Sequence, residues 1–418
     1  MFENILIELY KKFWSSKRIF MPRKIALDLA SGTESWLLTG PRRSGKSTLL
    51  YDIFTLLVNK GSNKTDFIFV NFEDPTLTTF KFENFGEILA TYNSLYPDKK
   101  PILLLDEIQH ITNWEKFVRN LVDNQYRVFV TGSNSGMLSN NSKSLLGGRF
   151  IQKNITPCSF FETLYFKGYN IDKVKIMSEP KIKNNFKGFL DYGGFPEVVL
   201  SNKKEEILNT YFDLAISDVL KERSDFEEFE LKTLIMKIRE NIGKEATTNS
   251  YTSFFNSINY KIDKNKIYKY FDALEEKYII VRLNQYRKSV KSRTLGKKTY
   301  IIDNGYVFLF DVKQDNGLKL ENQIFLELYK RNKEIYYYKN KFECDFIIKE
   351  KEKVSEVIQV SHELNDENRK REIGGLLMAM TEFNLGSGLI LTSDQEQVIK
   401  KGNKKIKVMP AWKWVLEN

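Results

Sequence analysis

Up to about residue 135 the apolar positions fall into short continuous runs separated by polar or helix-spaced stretches. The runs at 36–38, 66–72, 101–105 and 126–131 each hold continuous apolar residues without alternation (36–38, 67–70, 101–105 and 128–130), which predicts strands buried on both faces. Between the first two, Leu49, Leu50, Ile53, Phe54 and Leu57 recur at helical spacing over 47–58. Residues 114–123 repeat that pattern after the third run. Strands alternating with helices predict an α/β layer around a parallel sheet. Farther on the period changes. From 226 to 284 the apolar residues sit at helical spacing, and a strand-like run at 279–283 follows. Next comes a polar loop at 286–298 and then a strand. Three helices, a strand, a loop and a strand predict a winged helix. From 320 the chain returns to α/β: a helix at 320–329, strand-like runs at 334–338, 344–348 and 357–360, a helix from 369, a strand at 388–392 and a closing strand and helix at 406–414.

Chemistry enters at the end of the first strand. Gly40-Pro41-Arg42-Arg43-Ser44-Gly45-Lys46-Ser47 fits G-x-x-x-x-G-K-[ST] without mismatch, with a strand before it and a helix after it. Such a loop turns backbone N–H groups and a helix N-terminus toward a polyphosphate. Residues 40–48, Thr48 included, are therefore the expected nucleotide-binding segment. Lys46 is expected to reach the β- and γ-phosphates, and the Ser47 hydroxyl to bind Mg²⁺. The run at 101–105 ends in Asp106-Glu107, which downstream of a phosphate loop reads as a Walker B pair. Asp106 is then the second metal residue and Glu107 the group that polarises water. The strand at 126–131 ends in Gly132-Ser133-Asn134. Asn134, or Ser133, is the candidate sensor of the γ-phosphate. ATP and Mg²⁺ are the expected cofactors.

Charge adds a partner class. The chain has 418 residues and a formal charge of +11. The length exceeds one ordinary core, so more than one domain is expected. The loop at 286–298 holds six Lys/Arg and no acid. Arg287, Lys288, Lys291 and Arg293 are the candidate DNA contacts there, by phosphate neutralisation rather than base reading. No apolar run reaches the roughly 18 residues of a membrane span. The start of the chain is acidic and unlike a signal peptide. The two cysteines, Cys158 and Cys344, make neither a disulfide framework nor a zinc site. A cytoplasmic protein is expected.

Several motifs in order resemble one family: residues 40–47, Leu-Asp-Glu-Ile-Gln-His at 105–110 with Trp114-Glu115, Thr-Gly-Ser-Asn at 131–134, Gly147-Gly148-Arg149-Phe150, Pro157-Cys158-Ser159-Phe160, Tyr192 to Glu197 and Tyr300 to Gly305. The set is similar to the archaeal and bacterial AAA-type P-loop ATPases with a C-terminal domain of the DUF4143 type. The resemblance implies an ATPase core over 1–160, a helical lid over 161–223, a winged helix over 224–312 and a restriction-endonuclease-like α/β domain over 313–418. It also implies that Arg149 acts as an arginine finger toward a neighbouring subunit, hence a homo-oligomer in the ATP state. In the last domain Glu321 and Asp345 match the endonuclease pattern. The E-x-K position reads Gln359-Val360-Ser361, so nuclease activity is not expected unless a lysine has migrated, for example Lys339 or Lys341. The expected function is an ATPase that couples nucleotide state to DNA binding or assembly. A slow nucleotide-gated scaffold and an ATP-gated nuclease are the alternatives.

Overall fold

The computed structural model describes residues 2–16, 23–138, 144–169, 177–287, 296–309 and 315–417. The chain divides into two compact units, Met1–Thr156 and Pro157–Asn418.

The first unit is built on a five-stranded parallel sheet of β1 (Trp36–Thr39), β2 (Phe67–Asn71), β3 (Ile102–Asp106), β4 (Val128–Gly132) and β5 (Ile151–Asn154). The order is β2-β3-β4-β1-β5, with β1 paired to β4 and β5. The continuous apolar runs are explained by two cores. Ile68, Val70, Leu103, Leu105, Val128 and Val130 point into one core, and Phe67, Phe69, Leu104 and Phe129 into the other. The first core is closed by α1 (Glu3–Trp14), α4 (Phe85–Leu95) and α5 (Trp114–Asp123). The second is closed by α2 (Lys24–Ser31) and α3 (Lys46–Asn59). In α5 the buried residues Trp114, Val118 and Leu121 form one stripe, as the periodicity predicts.

In the second unit a helical stretch comes first: α6 (Phe160–Phe166), α7 (Glu179–Tyr192), α8 (Pro196–Leu200) and α9 (Lys204–Glu222). Ser159 caps α6 reciprocally with Glu162. Then come α10 (Glu228–Glu240), β6 (Glu245–Ala246), α11 (Thr248–Ser257), α12 (Lys264–Glu276), β7 (Ile280–Leu283) and β8 (Lys297–Ile301). These strands form an antiparallel sheet of order β6-β8-β7. Thr247 and Asp263 cap α11 and α12. Lys297 and Lys298, read from the sequence as part of the basic loop, are thus the first residues of β8.

After α13 (Asn304–Phe308) and α14 (Asn316–Lys330) comes a six-stranded mixed sheet. Its strands are β9 (Glu334–Lys339), β10 (Glu343–Glu350), β11 (Lys353–Val360), β12 (Ser387–Thr392), β13 (Gln397–Lys401) and β14 (Lys404–Pro410), in the order β13-β14-β12-β11-β10-β9. Alternate residues of β10 serve opposite faces. Ile347 packs with α15 (Arg369–Glu382), while Phe346 and Ile348 pack with α14 and α16 (Ala411–Glu417). One continuous core runs from Phe160 through the three-stranded sheet to Val415. The expected boundaries at 223/224 and 312/313 fall inside this unit.

Candidate nucleotide-binding site

The site lies at the carboxyl ends of β1, β3 and β4. Gly40 has φ +151°, and a Cβ there would stand 2.1 Å from the Ile155 carbonyl oxygen, so no side chain fits. Gly45 is left-handed at φ +92° and forms the N-cap of α3. The turn brings the positive end of the α3 dipole to the loop. Arg23, which no sequence motif marks, supports the loop from behind: its guanidinium donates to the carbonyls of Ser44 and Thr156 at 3.2 and 2.9 Å.

Lys46 is 3% exposed. Its Nζ donates to the carbonyls of Gly40 and Pro41 at 3.1 and 3.0 Å and lies 3.5 Å from Glu107 Oε1. The Thr39 and Ser44 hydroxyls are buried and have no hydrogen-bond partner among the described residues. Buried hydroxyls without partners are costly, and at the mouth of a phosphate loop they fit a polar ligand. Pro41 is buried, whereas Arg42, Arg43 and Thr48 are exposed.

Asp106 and Glu107 stand together at the end of β3. Thr131 on β4 donates its hydroxyl to Asp106 and accepts the Glu107 N–H at 3.0 Å. Burial first, and then the neighbouring Glu107 charge, push the Asp106 carboxyl up to about 6, against the hydroxyls of Thr131 and Ser47. Burial works in the same direction on Glu107. There the Lys46 ammonium and hydrogen bonds from Gln109 and Ser133 outweigh it, so its pKa lies below the usual glutamate value. Gln109 Nε2 donates to Glu107 Oε2 at 2.6 Å and to Ser133 Oγ at 3.3 Å. Gln109 belongs to the motif at 105–110, but its link to the next strand is long-range and invisible in the sequence.

Asn134 uses its side-chain oxygen to accept the Gly136 N–H at 2.7 Å, a local turn contact. Ser133, directly and through Gln109, is the residue of this pair joined to Glu107. Arg149 pairs with Asp123 and donates to the Gly147 carbonyl at 3.1 Å. A second network flanks the loop: Glu73, just past β2, binds both Arg42 and His110. The His110 hydrogen bond, then Arg42, lowers the Glu73 pKa, and the same bond raises that of His110.

A family model described as an AAA domain matches residues 33–164. A second, a domain of unknown function (DUF8612), matches 183–315. The uncharacterized protein MJ1544 of Methanocaldococcus jannaschii is 34% identical over 397 residues, covering 91% of this chain and 88% of its own. The chain belongs to the family of MJ1544. An uncharacterized protein of Haemophilus influenzae is 28% identical over 344 residues, covering 80% of this chain and 84% of its own. Among solved structures, the Walker-type ATPase PABY2304 of Pyrococcus abyssi matches 72% of this chain and all of its own length, at 15% identity and a TM-score of 0.41. In this member of the MJ1544 family the N-terminal unit is an AAA domain with a P-loop NTPase-like parallel sheet. The family that matches beyond it is DUF8612, not the expected DUF4143 type.

The remaining expectations for the MJ1544-family chain concern its second unit. Arg287 donates to Gln285 Oε1 at 3.2 and 3.1 Å. Lys288, Lys291 and Arg293 lie outside the described residues. Glu321 and Asp345 do come together, but the lysine beside them is Lys298, which sequence reasoning assigned to the basic loop. It lies 3.1 Å from Asp345 and 3.5 Å from Glu321. Lys339 instead pairs with Glu245 at 2.6 Å, and Lys341 is exposed. Gln359 is turned to Glu372, donating to it at 2.6 Å, and Ser361 donates to the Glu363 carbonyl at 2.8 Å. No described helix is long and apolar enough to cross a membrane, and no disulfide joins Cys158 and Cys344.

Proposed function

We propose that this protein binds ATP with Mg²⁺ and hydrolyses it, and that nucleotide state governs DNA binding or assembly. The observation that carries the reading is the convergence of Lys46, Asp106 and Glu107 on one loop whose buried Thr39 and Ser44 hydroxyls lack partners among the described residues. Lys46 exchanges the Gly40 and Pro41 carbonyls for the β- and γ-phosphates. The Ser47 hydroxyl and Asp106 would hold Mg²⁺, which when bound neutralises phosphate charge. Glu107, oriented by Gln109, accepts a proton from the water whose oxygen attacks the γ-phosphorus as the bond to the β–γ bridging oxygen breaks. Ser133 or Asn134 senses the γ-phosphate. The test is steady-state turnover beside equilibrium nucleotide binding. Turnover that needs Mg²⁺ and falls in Glu107→Gln, with ATP still bound, supports the reading. Unaltered turnover refutes it.

The second part of the proposal is the division of labour. Residues 161–223 act as a helical lid, 224–312 as a winged helix and 313–418 as a restriction-endonuclease-like module without nuclease activity. The order α10-β6-α11-α12-β7-β8 with an antiparallel β6-β8-β7 sheet supports the winged-helix reading. DNA contact is assigned to Arg287, Lys288, Lys291 and Arg293. Replacing the four by Ser should flatten the salt dependence of DNA binding, the log–log slope shrinking by about 0.9 for each phosphate no longer neutralised. Arg149 is assigned to a neighbour's γ-phosphate in a homo-oligomer, leaving Asp123 when ATP is bound. Mixed Arg149→Ala and Glu107→Gln chains should then recover activity that neither has alone.

A further inference from the structure

Lys298, on β8, is a buried lysine outside the nucleotide site. It is 0% exposed. Its Nζ lies 2.7 Å from Glu343 Oε1, 3.1 Å from Asp345 Oδ1 and 3.5 Å from Glu321 Oε1. The carboxylates come from two elements, α14 and the start of β10. Two of the three, Glu321 and Asp345, are also held by other groups or by the backbone. Tyr300, two residues along β8 and so on the same face, donates its hydroxyl to Glu321 Oε1 at 2.9 Å. The Val360 N–H donates to Asp345 Oδ2 at 2.9 Å. Gly243 closes the far side: a Cβ there would stand 2.2 to 2.5 Å from the Glu321 carboxyl atoms.

Three carboxylate oxygens surround one point, but a hard divalent cation needs oxygen contacts of about 2.0–2.6 Å, and no group of acids, histidines or cysteines among the described residues is arranged to hold one. Here that point is filled by nitrogen at ion-pair distances. A metal ion and the ammonium cannot share it, and the lysine has no exposed surface through which to withdraw. The Gln359 carbonyl oxygen, the group that would face a metal, accepts the Asp345 N–H at 3.2 Å, and its amide donates to Glu372.

We propose that Lys298 is the resident cation of this cluster: its ammonium takes the place of a divalent ion, and Glu321, Glu343 and Asp345 become a Mg²⁺ or Mn²⁺ site only when that side chain is removed. The cluster thereby fastens β8, and the three-stranded sheet to which it belongs, to α14 and β10. With the ammonium gone, buried Asp345 and the half-buried Glu321 and Glu343 face one another, and a divalent cation is the ligand that relieves their repulsion. The inference is independent of the ATPase reading.

The test is a Mn²⁺ titration of the full chain, without nucleotide, followed by electron paramagnetic resonance. An Asp106→Asn background keeps the N-terminal site from contributing. With Lys298 in place, no bound Mn²⁺ should depend on Asp345. Lys298→Met should gain about one equivalent of Mn²⁺ per chain, and adding Asp345→Asn should abolish it. Asp345-dependent Mn²⁺ uptake with Lys298 intact overturns the proposal, as does a folded Lys298→Met or Lys298→Gln chain that takes up none. If neither variant folds, the ¹⁵N resonance of the Lys298 ammonium in the Asp106→Asn chain decides. A signal unaltered by Mn²⁺ supports the proposal, and paramagnetic broadening overturns it.

Discussion

Lys46 and Lys298 are both buried and both face carboxylates, yet their surroundings differ in kind. Lys46 is held by two backbone carbonyls and stands 3.5 Å from one carboxylate, beside hydroxyls that have no partner among the described residues. Its loop depends on a glycine that cannot carry a side chain. Lys298 is ringed by three carboxylates, of which Glu321 and Asp345 are also fixed by other groups or by the backbone. A charge kept for a ligand is left partly satisfied, so that exchanging its partners costs little. A charge that belongs to the fold is fully paired. The same pair of residue types can therefore mark a binding site or a fastening, and what separates them is the state of the neighbouring polar atoms.

The largest effect should come from breaking the fastening. Lys298→Met should destabilise the protein by about 3–5 kcal/mol, the usual result of orphaning buried charge. Lys46→Met should cost clearly less, because its main partners are carbonyls. Chemical denaturation of both variants checks this, and equal losses would dissolve the distinction between the two lysines. Next in size, Glu107→Gln should lower ATP turnover by about 10²-fold or more while ATP binding persists, as expected for loss of a general base. Lys46→Ala should then weaken ATP–Mg²⁺ binding by roughly ten- to a hundredfold, the range for lost hydrogen bonds to a charged group. Binding equal to the parent would remove Lys46 from the site.

The smallest effect is a pH dependence of the fastening, read from Glu321. Burial, and then Asp345 and Glu343, raise the Glu321 carboxyl to about 7 against the pull of Lys298. Between the ordinary glutamate value and about 7 the folded chain holds this proton more tightly than the unfolded chain does. Stability from this group therefore falls as pH rises through that window. For Lys298, burial works against the charge, but Tyr300 and the three carboxylates hold its pKa well above the ordinary lysine value. Its contribution is complete below that ordinary value and is lost only as pH rises through the folded one. Denaturation midpoints of parent and Glu321→Gln between pH 4.5 and 7.5 should converge at the acid end and separate toward neutrality. Parallel curves would mean that Glu321 does not titrate there.

The N-terminal site is legible in the sequence because its parts are local. A loop of eight residues carries its own strand and helix, and Asp106-Glu107 ends a run that periodicity alone marks as buried. Arg23, Gln109 and the Glu73–His110 contact are not legible, since each acts across strands far apart in sequence. Lys298 is misread for a different reason. Lysine in a basic stretch says nothing of burial, and its partners lie 23 to 47 residues away. One signal is present: Lys298 and Tyr300 share a strand face, and both meet Glu321. The endonuclease pattern expects its lysine at the E-x-K position of β11, where Gln359 and Ser361 are occupied locally. The lysine comes instead from another sheet.

The cluster around Lys298 also constrains how relatives of this chain can diverge. Losing the lysine alone strands three acids, and losing one acid alone loosens the lysine. Positions 298, 321, 343 and 345 should therefore drift as a linked quartet. A relative with a neutral residue at 298 should also have shed an acid or recovered a metal, and an alignment of the family can look for the forbidden intermediate.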